Sequence, residues 1–191
     1  MVFHHCSYDS VIANSHPNWV LKENGIPKRK LKDITGVVDL DFSQDDLHDY
    51  LIDILLYWTD LGVSAFRFDS ASLIPLNFWL KAREAVLKRN PDVFFLGESS
   101  KLNFIKELRD QSFEVLSDGE LYQAFDIIYD YDINDFYESY LKDSKKLNDW
   151  LKSILRQESF YPKNFVKLRS LENHETDRIA NRLQDFQKLL N

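Results

Sequence analysis

The apolar and polar positions of the chain first follow a helical spacing over SQDDLHDYLIDILLYWTDLG, residues 43–62. Ser43, with Asp46 three positions later, is a helix-start signal, and Gly62 is a stop signal. One face of this predicted helix contains six apolar residues: Leu47, Tyr50, Leu51, Ile54, Trp58 and Leu61. The strand candidate VSAFRFD follows almost at once, so the pattern predicts a helix that leads directly into a strand.

Strand and helix patterns then alternate along the rest of the chain. A helix pattern over residues 77–88 precedes the strand candidate VFFLGE, and SSKLNFIKELRDQ again has helical spacing. FEVLSDG predicts a third strand, and the tract from LYQAFDIIYDYD to LKSILRQ predicts several helical turns. FVKLRSLENHE predicts a fourth strand, followed by a closing helix over RIANRLQDFQKLL. This order indicates a parallel sheet with its helices packed outside.

Polar residues at the ends of the predicted strands favour a closed barrel over an open doubly wound sheet. No glycine-rich phosphate turn follows any of these strands, which counts against a nucleotide-binding open sheet. The strand ends instead have acidic and polar side chains: Asp69, Glu98, Asp118 and the group Asn173, His174 and Glu175. Barrel enzymes keep their active sites at this edge, and a complete barrel needs about 250 residues. We therefore predict an α/β fold of the parallel (β/α)8 TIM-barrel type, incomplete, with about four strand-helix units.

The first forty residues have a different character. MVFHHCSYDS suggests the end of an earlier strand, and the polar, irregular segment after it has little periodicity. We therefore divide the chain into residues 1–42, a strand end with a loop excursion, and residues 43–191, a partial (β/α) barrel.

Composition and charge exclude several classes of protein. The net charge of −7 argues against a nucleic-acid partner, and the single cysteine, Cys6, argues against a disulfide framework. No apolar run approaches the length of a membrane span, and the N-terminus lacks the pattern of a signal peptide. We expect a cytoplasmic protein with no nucleic-acid or membrane partner.

Asp69 and Glu98 form the first candidate site. Each ends a predicted strand, and one helix separates them, so they are expected on adjacent strands at the same rim. Two facing carboxylates are what glycoside hydrolysis needs, one as nucleophile and one as proton donor. Arg67 shares a strand face with Asp69 and would keep that carboxylate ionised. The alternative is a structural Arg-Asp pair beside a helix-capping Glu98, since buried ion pairs also occur without catalysis.

A third acid lies in the group Asn173, His174 and Glu175. These side chains are suited to binding sugar hydroxyls and to stabilising positive charge in an oxocarbenium-like transition state. The alternative is another helix start, because Glu175 and Thr176 precede RIANRL at positions suited to capping.

The residues of three segments resemble those of the α-amylase family of glycoside hydrolases, whose catalytic domain is an eight-fold barrel. AFRFDSA resembles the segment with the family's arginine and nucleophilic aspartate, which implies these roles for Arg67 and Asp69. FFLGES resembles the segment of the general acid/base, here Glu98, and LENHET resembles the asparagine-histidine-aspartate segment. The resemblance implies a substrate contact at His174 and places Glu175 where the family has an aspartate. Glutamate is one methylene longer, and misplacement of ~1 Å can cost ~100-fold in rate.

The start of the chain resembles the family less closely. VFHH is similar to the end of the family's third strand, with His5 at the substrate-contacting histidine and His4 in place of an asparagine. VDLDFS is similar to the motif that closes the short B-domain-like excursion, with Asp39 at its aspartate. In many relatives that asparagine and that aspartate bind calcium, so the replacement argues against calcium and we expect no cofactor. His4, His5 and Cys6 also lack the ligand spacing of a zinc site.

The resemblance implies a retaining glycoside hydrolase or transglycosidase that acts on α-linked glucans or maltooligosaccharides. The mapped chain would run from the end of the family's third strand to the helix after its seventh, so we expect exposed sheet edges that allow self-association. Two alternatives remain: a catalytically inactive half-barrel that binds sugar or assembles with a partner, and an unrelated parallel α/β fold with structural acids.

Overall fold

The computed structural model describes residues 1–31 and 35–183. Its N-terminal part contains short elements: β1 (His5–Ser7), α1 (Val11–Ser15), β2 (Lys22–Glu23), β3 (Ile26–Pro27) and β4 (Val37–Asp39). β1 pairs with β4 and β2 pairs with β3, both antiparallel. Ahead of β1, the Met1 amino group donates to the Arg67 carbonyl (2.6 Å), and the Asp69 amide donates to the Met1 carbonyl (2.9 Å). The first residues therefore lie along the strand that contains Arg67.

The remaining elements form a parallel sheet with helices between its strands. In chain order they are α2 (Asp45–Asp60), β5 (Ala65–Phe68), α3 (Leu76–Arg89), β6 (Phe94–Gly97), α4 (Leu102–Asp110), α5 (Asp118–Leu121), β7 (Ile127–Tyr129), α6 (Asn134–Lys142), α7 (Leu147–Phe160), β8 (Val166–Leu168) and α8 (Ile179–Arg182). The strand order is β5-β6-β7-β8, and all three pairings are parallel. The predicted α/β fold with four parallel strands is confirmed. The predicted closing helix is described only up to residue 183, and the rest of it lies outside the described residues.

The predicted third strand is wrong. FEVLSDG has no strand in the structure, because Val115 and Leu116 are buried in an irregular connection and Asp118 begins α5. The third strand is β7, inside the tract predicted as helix. Short apolar runs fit a strand, a helix or a buried connection equally well, and here tertiary contacts decided between them.

The buried face of α2 overlaps only in part with the predicted one, since Leu47 and Leu51 are buried as predicted and Ile54 is partly buried against the core. Leu47, Leu51 and Leu55 are buried together with His48 and Thr59, whereas Tyr50, Trp58 and Leu61 are exposed. The helix starts at Asp45 without a side-chain cap from Ser43. Its buried stripe follows its packing against α3, which the hydrophobicity of single residues does not reveal.

An aromatic core joins the sheet to its helices. Phe68 of β5 packs on Phe95 of β6, Trp79 of α3 and Phe125, with ring centres 4.8, 4.7 and 5.8 Å apart respectively. Gly97 is required at the end of β6, because a Cβ there would lie 2.9 Å from the Phe125 ring. The strand that contains Arg67 is therefore anchored by its phenylalanines on the opposite face.

No helix within residues 1–31 and 35–183 has the length and apolar character that crossing a membrane requires.

Candidate active site

Arg67 joins the two carboxylates that the sequence placed at neighbouring strand ends. Its Nη1 donates a hydrogen bond to Asp69 Oδ1, and its Nη2 lies 2.7 Å from Glu98 Oε1. Partial burial opposes the charge of Arg67, but contacts with Tyr129, Asp69 and Glu98 outweigh it and raise the pKa of the guanidinium. The cation therefore stays charged and fixes two acids from adjacent strands.

Glu98 is the more buried of the two acids. Burial raises its pKa, and the charges of Asp69 and Glu175 add to this effect, while the Ser70 amide and Arg67 oppose it. The Ser70 amide donates to Glu98 Oε2 at 2.8 Å. A carboxyl group with a raised pKa retains its proton at higher pH, as a general acid requires.

The turn after Asp69 is strained in a way that serves Glu98. Ser70 has φ 43° and ψ 46°, the left-handed region that favours glycine, and this conformation accompanies the amide contact with Glu98. Such conformations cost on the order of 1 kcal/mol and persist where the surrounding structure holds them. Nothing in the sequence marks Ser70 apart from its place beside Asp69.

Glu175 lies on the loop after β8 and not at the strand end, because β8 already ends at Leu168. Its Oε2 accepts a hydrogen bond from the Tyr131 hydroxyl (3.2 Å), which itself accepts one from Asn173 Nδ2 (2.8 Å). Burial and the nearby Glu175 raise the pKa of Tyr131, so its hydroxyl remains a donor. Tyr131 therefore connects the exposed loop to the sheet.

Helix capping does not account for Glu175. The residue that serves the start of α8 is Glu172, whose Oε2 accepts from the Ile179 amide at 2.5 Å and whose Oε1 pairs with Arg178 at 2.6 Å. Glu175 is thus available for the cleft, although its side chain is half exposed.

A cleft of about 420 Å³, which we call the acidic cleft, brings Glu98 and Glu175 together with Ser70, Tyr131 and Asn173. Asp69 is held next to it through Arg67. Within the described ranges, His174 and His5 are not among its lining residues. His174 is exposed, with its Nε2 4.0 Å from Glu175 Oε1.

His5 and the VDLDFS segment contribute no residue to the lining of the acidic cleft. His5 is paired with Asp39 in the β1-β4 ladder, and its Nδ1 is 2.6 Å from Nε2 of His4. Burial lowers the pKa of His4 to about 4, which keeps its imidazole neutral. Asp39 is buried and accepts from the Lys30 amide at 2.8 Å.

These residues do not fit a calcium site. Calcium takes six to eight oxygen ligands, but Asp39 is committed to the Lys30 amide and an imidazole replaces the amide oxygen at His4. Among residues 1–31 and 35–183, no three His, Cys, Asp or Glu side chains are grouped as a metal site requires.

Sequence reasoning missed the tyrosines of the β7 end. The Arg67 guanidinium carbon lies 5.5 Å from the centre of the Tyr129 ring, and the rings of Tyr129 and Tyr131 are 5.3 Å apart and nearly perpendicular. Their spacing of two positions in IIYDYD was the available signal, since residues i and i+2 share a strand face.

A buried ionic cluster behind the β8 strand was also missed. Lys167 is fully buried; it pairs with Asp118 and lies 3.0 Å from Asp132 Oδ1. The Tyr161 hydroxyl donates to Asp132 Oδ2 at 2.6 Å. Burial raises the pKa of Asp118 to about 6 despite Lys167. A lysine in the middle of an apolar strand was the signal for this cluster.

No protein-family model matches the chain. Its fold is similar to the crystal structure of an α-amylase from Lactobacillus plantarum, with a TM-score of 0.92 and 39% sequence identity over 98% of this chain and 44% of that one. The chain is therefore similar in sequence and in fold to an α-amylase over nearly its whole length. The predicted resemblance to the α-amylase family and the partial barrel are thereby confirmed.

Two further proteins are similar to the chain. A noncanonic maltogenic α-amylase from Thermotoga neapolitana has a TM-score of 0.79 and 34% identity over 100% of this chain and 41% of that one. An α-1,4-glucan:maltose-1-phosphate maltosyltransferase from Picrophilus torridus is 28% identical over 152 residues, 71% of this chain and 24% of the relative. The chain thus spans less than half the length of these relatives.

Proposed function

We propose that the chain is the part of a retaining α-glucan enzyme that supplies its catalytic acids, in a protein that hydrolyses or transfers α-linked glucosyl units. The strongest support is the Arg67 bridge between Asp69 and Glu98, acids of adjacent strands, one of which has a raised pKa. The names of the relatives, α-amylases and a maltosyltransferase for α-1,4-glucan, agree with this reaction class.

The proposed reaction has two displacements at one anomeric carbon. An Asp69 carboxylate oxygen attacks that carbon while Glu98 gives its proton to the leaving glycosidic oxygen, which produces a covalent glycosyl ester. Glu98, now ionised, takes a proton from water or from an acceptor hydroxyl, whose oxygen then displaces Asp69. Two inversions leave the configuration retained.

The other residues of the site bind and orient. Arg67 holds the Asp69 carboxylate in position through its hydrogen bond, and the Glu175 carboxylate stabilises the positive charge of the oxocarbenium-like transition state. In this proposal His174 and His5 contact the substrate from the loop after β8 and from β1. Their positions outside the cleft lining mean that either contact requires substrate beyond the acidic cleft.

The test combines a product assay with calorimetry on a maltooligosaccharide such as maltoheptaose. Because Asp69→Asn removes the nucleophile and Glu98→Gln removes the proton donor, each should lower turnover by at least about 1,000-fold with binding and folding retained. Glu107→Gln changes an exposed acid of α4 to its amide and should leave turnover unchanged.

Wild-type rates in both variants contradict the assignment. Binding without any product from the wild-type chain favours the inactive sugar-binding alternative, which is motivated by glutamate at position 175.

A further inference from the structure

A second cavity adjoins the acidic cleft. It has a volume of about 190 Å³ and lies between the ends of β7 and β8 and the helices α6 and α7. Four aromatic residues contribute to its wall: Tyr129, Tyr131, Tyr137 and Trp150. We call it the aromatic recess. The family-like segments around Arg67, Glu98 and Glu175 contain none of these aromatic residues.

The recess and the cleft are continuous. Both are lined by the same five residues, which form the boundary between them: Tyr131, Asn134, Tyr137, Ser170 and Leu171. A ligand that extends from Glu98 and Glu175 can therefore enter the recess without leaving the protein surface.

The wall of the recess suits a ligand with a flat apolar face. The Trp150 ring is held in place by Tyr140, stacked at 5.3 Å and 11°, and by Tyr137 at 5.4 Å. Aromatic rings fixed in this way offer large contact area at little entropic cost.

The polar groups of the recess favour a neutral, hydroxylated ligand. Within the described part of the chain, the charged residues that line the recess are Asp130 and Arg169, which form an ion pair at 2.6 Å, and Arg169 also donates to Gln157. Their charges compensate each other, so these residues offer no unpaired charge to an ionic ligand. The Tyr137 hydroxyl is buried without a hydrogen-bond partner among the described residues, a cost that a ligand hydroxyl would relieve.

We propose that the aromatic recess is a subsite for one sugar ring of an α-glucan whose neighbouring units occupy the acidic cleft. This assignment rests on the proposed function. The volume equals that of roughly six water molecules at ~30 Å³ each, which suits a single ring. The recess therefore adds selectivity for chain length to the proposed chemistry.

Calorimetry with maltose, maltotriose, maltotetraose and maltopentaose tests the subsite, in an Asp69→Asn background that prevents turnover. Leu168→Trp fills the recess, and Trp150→Phe keeps an aromatic wall of smaller area. We expect affinity to rise with chain length in the background protein. Leu168→Trp should remove that rise, with about 3- to 10-fold weaker binding of the longest ligand, the size of an aromatic contact. Trp150→Phe should give a smaller loss.

Trp58→Ala is the control, because Trp58 is exposed on α2 and lines neither cavity. Circular dichroism checks that each variant is folded, and Tyr137→Phe replaces any variant that is not. A chain-length dependence unchanged by filling the recess overturns the subsite and leaves the proposed function standing. If Leu168→Trp removes the dependence of affinity on chain length while the wild-type chain releases no product, the subsite is supported and the proposed function is overturned. Absence of binding to every ligand overturns both.

Discussion

Arg67 is the residue around which the candidate site is organised. It points away from the aromatic core of its strand and contacts Asp69, Glu98 and Tyr129. A lysine could not make both ion pairs in this geometry, because only guanidinium has a planar fork of donors. The two acids therefore depend on one cation for their relative position.

Tyr131→Phe tests the contact between the sheet and Glu175. Removing the hydroxyl leaves Glu175 without its donor at 3.2 Å and Asn173 without its acceptor at 2.8 Å. A hydrogen bond to a charged group contributes about 1.5–3 kcal/mol, so we expect kcat to fall about 10- to 100-fold with a smaller change in KM. Steady-state kinetics on maltoheptaose measure this.

Tyr57→Phe is the matched control, since Tyr57 is exposed on α2 and does not line the acidic cleft. A Tyr131→Phe enzyme with unchanged kcat would show that Glu175 is positioned without the tyrosine.

At the scale of single residues, the sequence was informative where charged side chains occur in or directly after a predicted strand. An arginine and an aspartate on one strand face, and an acid closing the next strand, were enough to nominate Arg67, Asp69 and Glu98. Tyr131 and Ser70 could not be found in this way, because their contribution depends on partners 44 and 28 positions away in the chain.

The strands of the sheet differ in the interactions that stabilise them. The β5 and β6 strands are held by the aromatic core, whereas the buried Lys167 links the short β8 strand to Asp118 at the start of α5 and to Asp132 in the connection after β7. Burial of a charge is tolerated only with partners, and here two carboxylates share one ammonium.

Lys167→Met is expected to destabilise the protein by about 3–5 kcal/mol, because it leaves two buried carboxylates without their cation. Urea unfolding followed by circular dichroism measures the loss. Adding Asp118→Asn and Asp132→Asn to Lys167→Met should recover part of the stability, since the remaining groups are then neutral.

Lys81→Met is the control for this prediction. Lys81 pairs with Asp45 on the surface at 3.1 Å, and such pairs contribute about 0–1 kcal/mol. Equal losses in the Lys167 and Lys81 variants would contradict a special role for the buried cluster.

For the whole molecule, two buried groups give opposite dependences of stability on pH. His4 has its pKa lowered to about 4, so the unfolded chain binds this proton first and stability falls as pH drops from about 6.5 towards 4. Asp118 has its pKa raised to about 6, so its contribution is complete below about 4 and is lost as pH rises through 6. Between pH 4 and 6 the two slopes oppose each other.

Replacing either group by a neutral residue should separate the two dependences of stability on pH. Asp118→Asn removes the stabilisation that comes from protonating Asp118, so the free energy of unfolding should fall more steeply from pH 6 to pH 4 than in the wild type. His4→Gln removes the destabilisation that comes from protonating His4, so the free energy of unfolding should rise as pH falls from 6 to 4. Urea unfolding at half-unit steps of pH measures both, and parallel curves for the wild type and the two variants would refute the assignment.

The sequence by itself indicated the fold class, the resemblance to the α-amylase family and the placement of the candidate acids Asp69 and Glu98 on adjacent strands, because strand-helix alternation and short chemical motifs are local properties of the chain. Tertiary structure alone decided that β7 is a strand, which face of α2 is buried, that Glu172 accepts a hydrogen bond from the first amide of α8, and that Lys167 contacts both Asp118 and Asp132. These outcomes depend on burial and on contacts between residues distant in the chain, which local spacing does not encode. The same reason explains why the aromatic recess, built from β7, β8 and two helices, is visible only once the elements are packed.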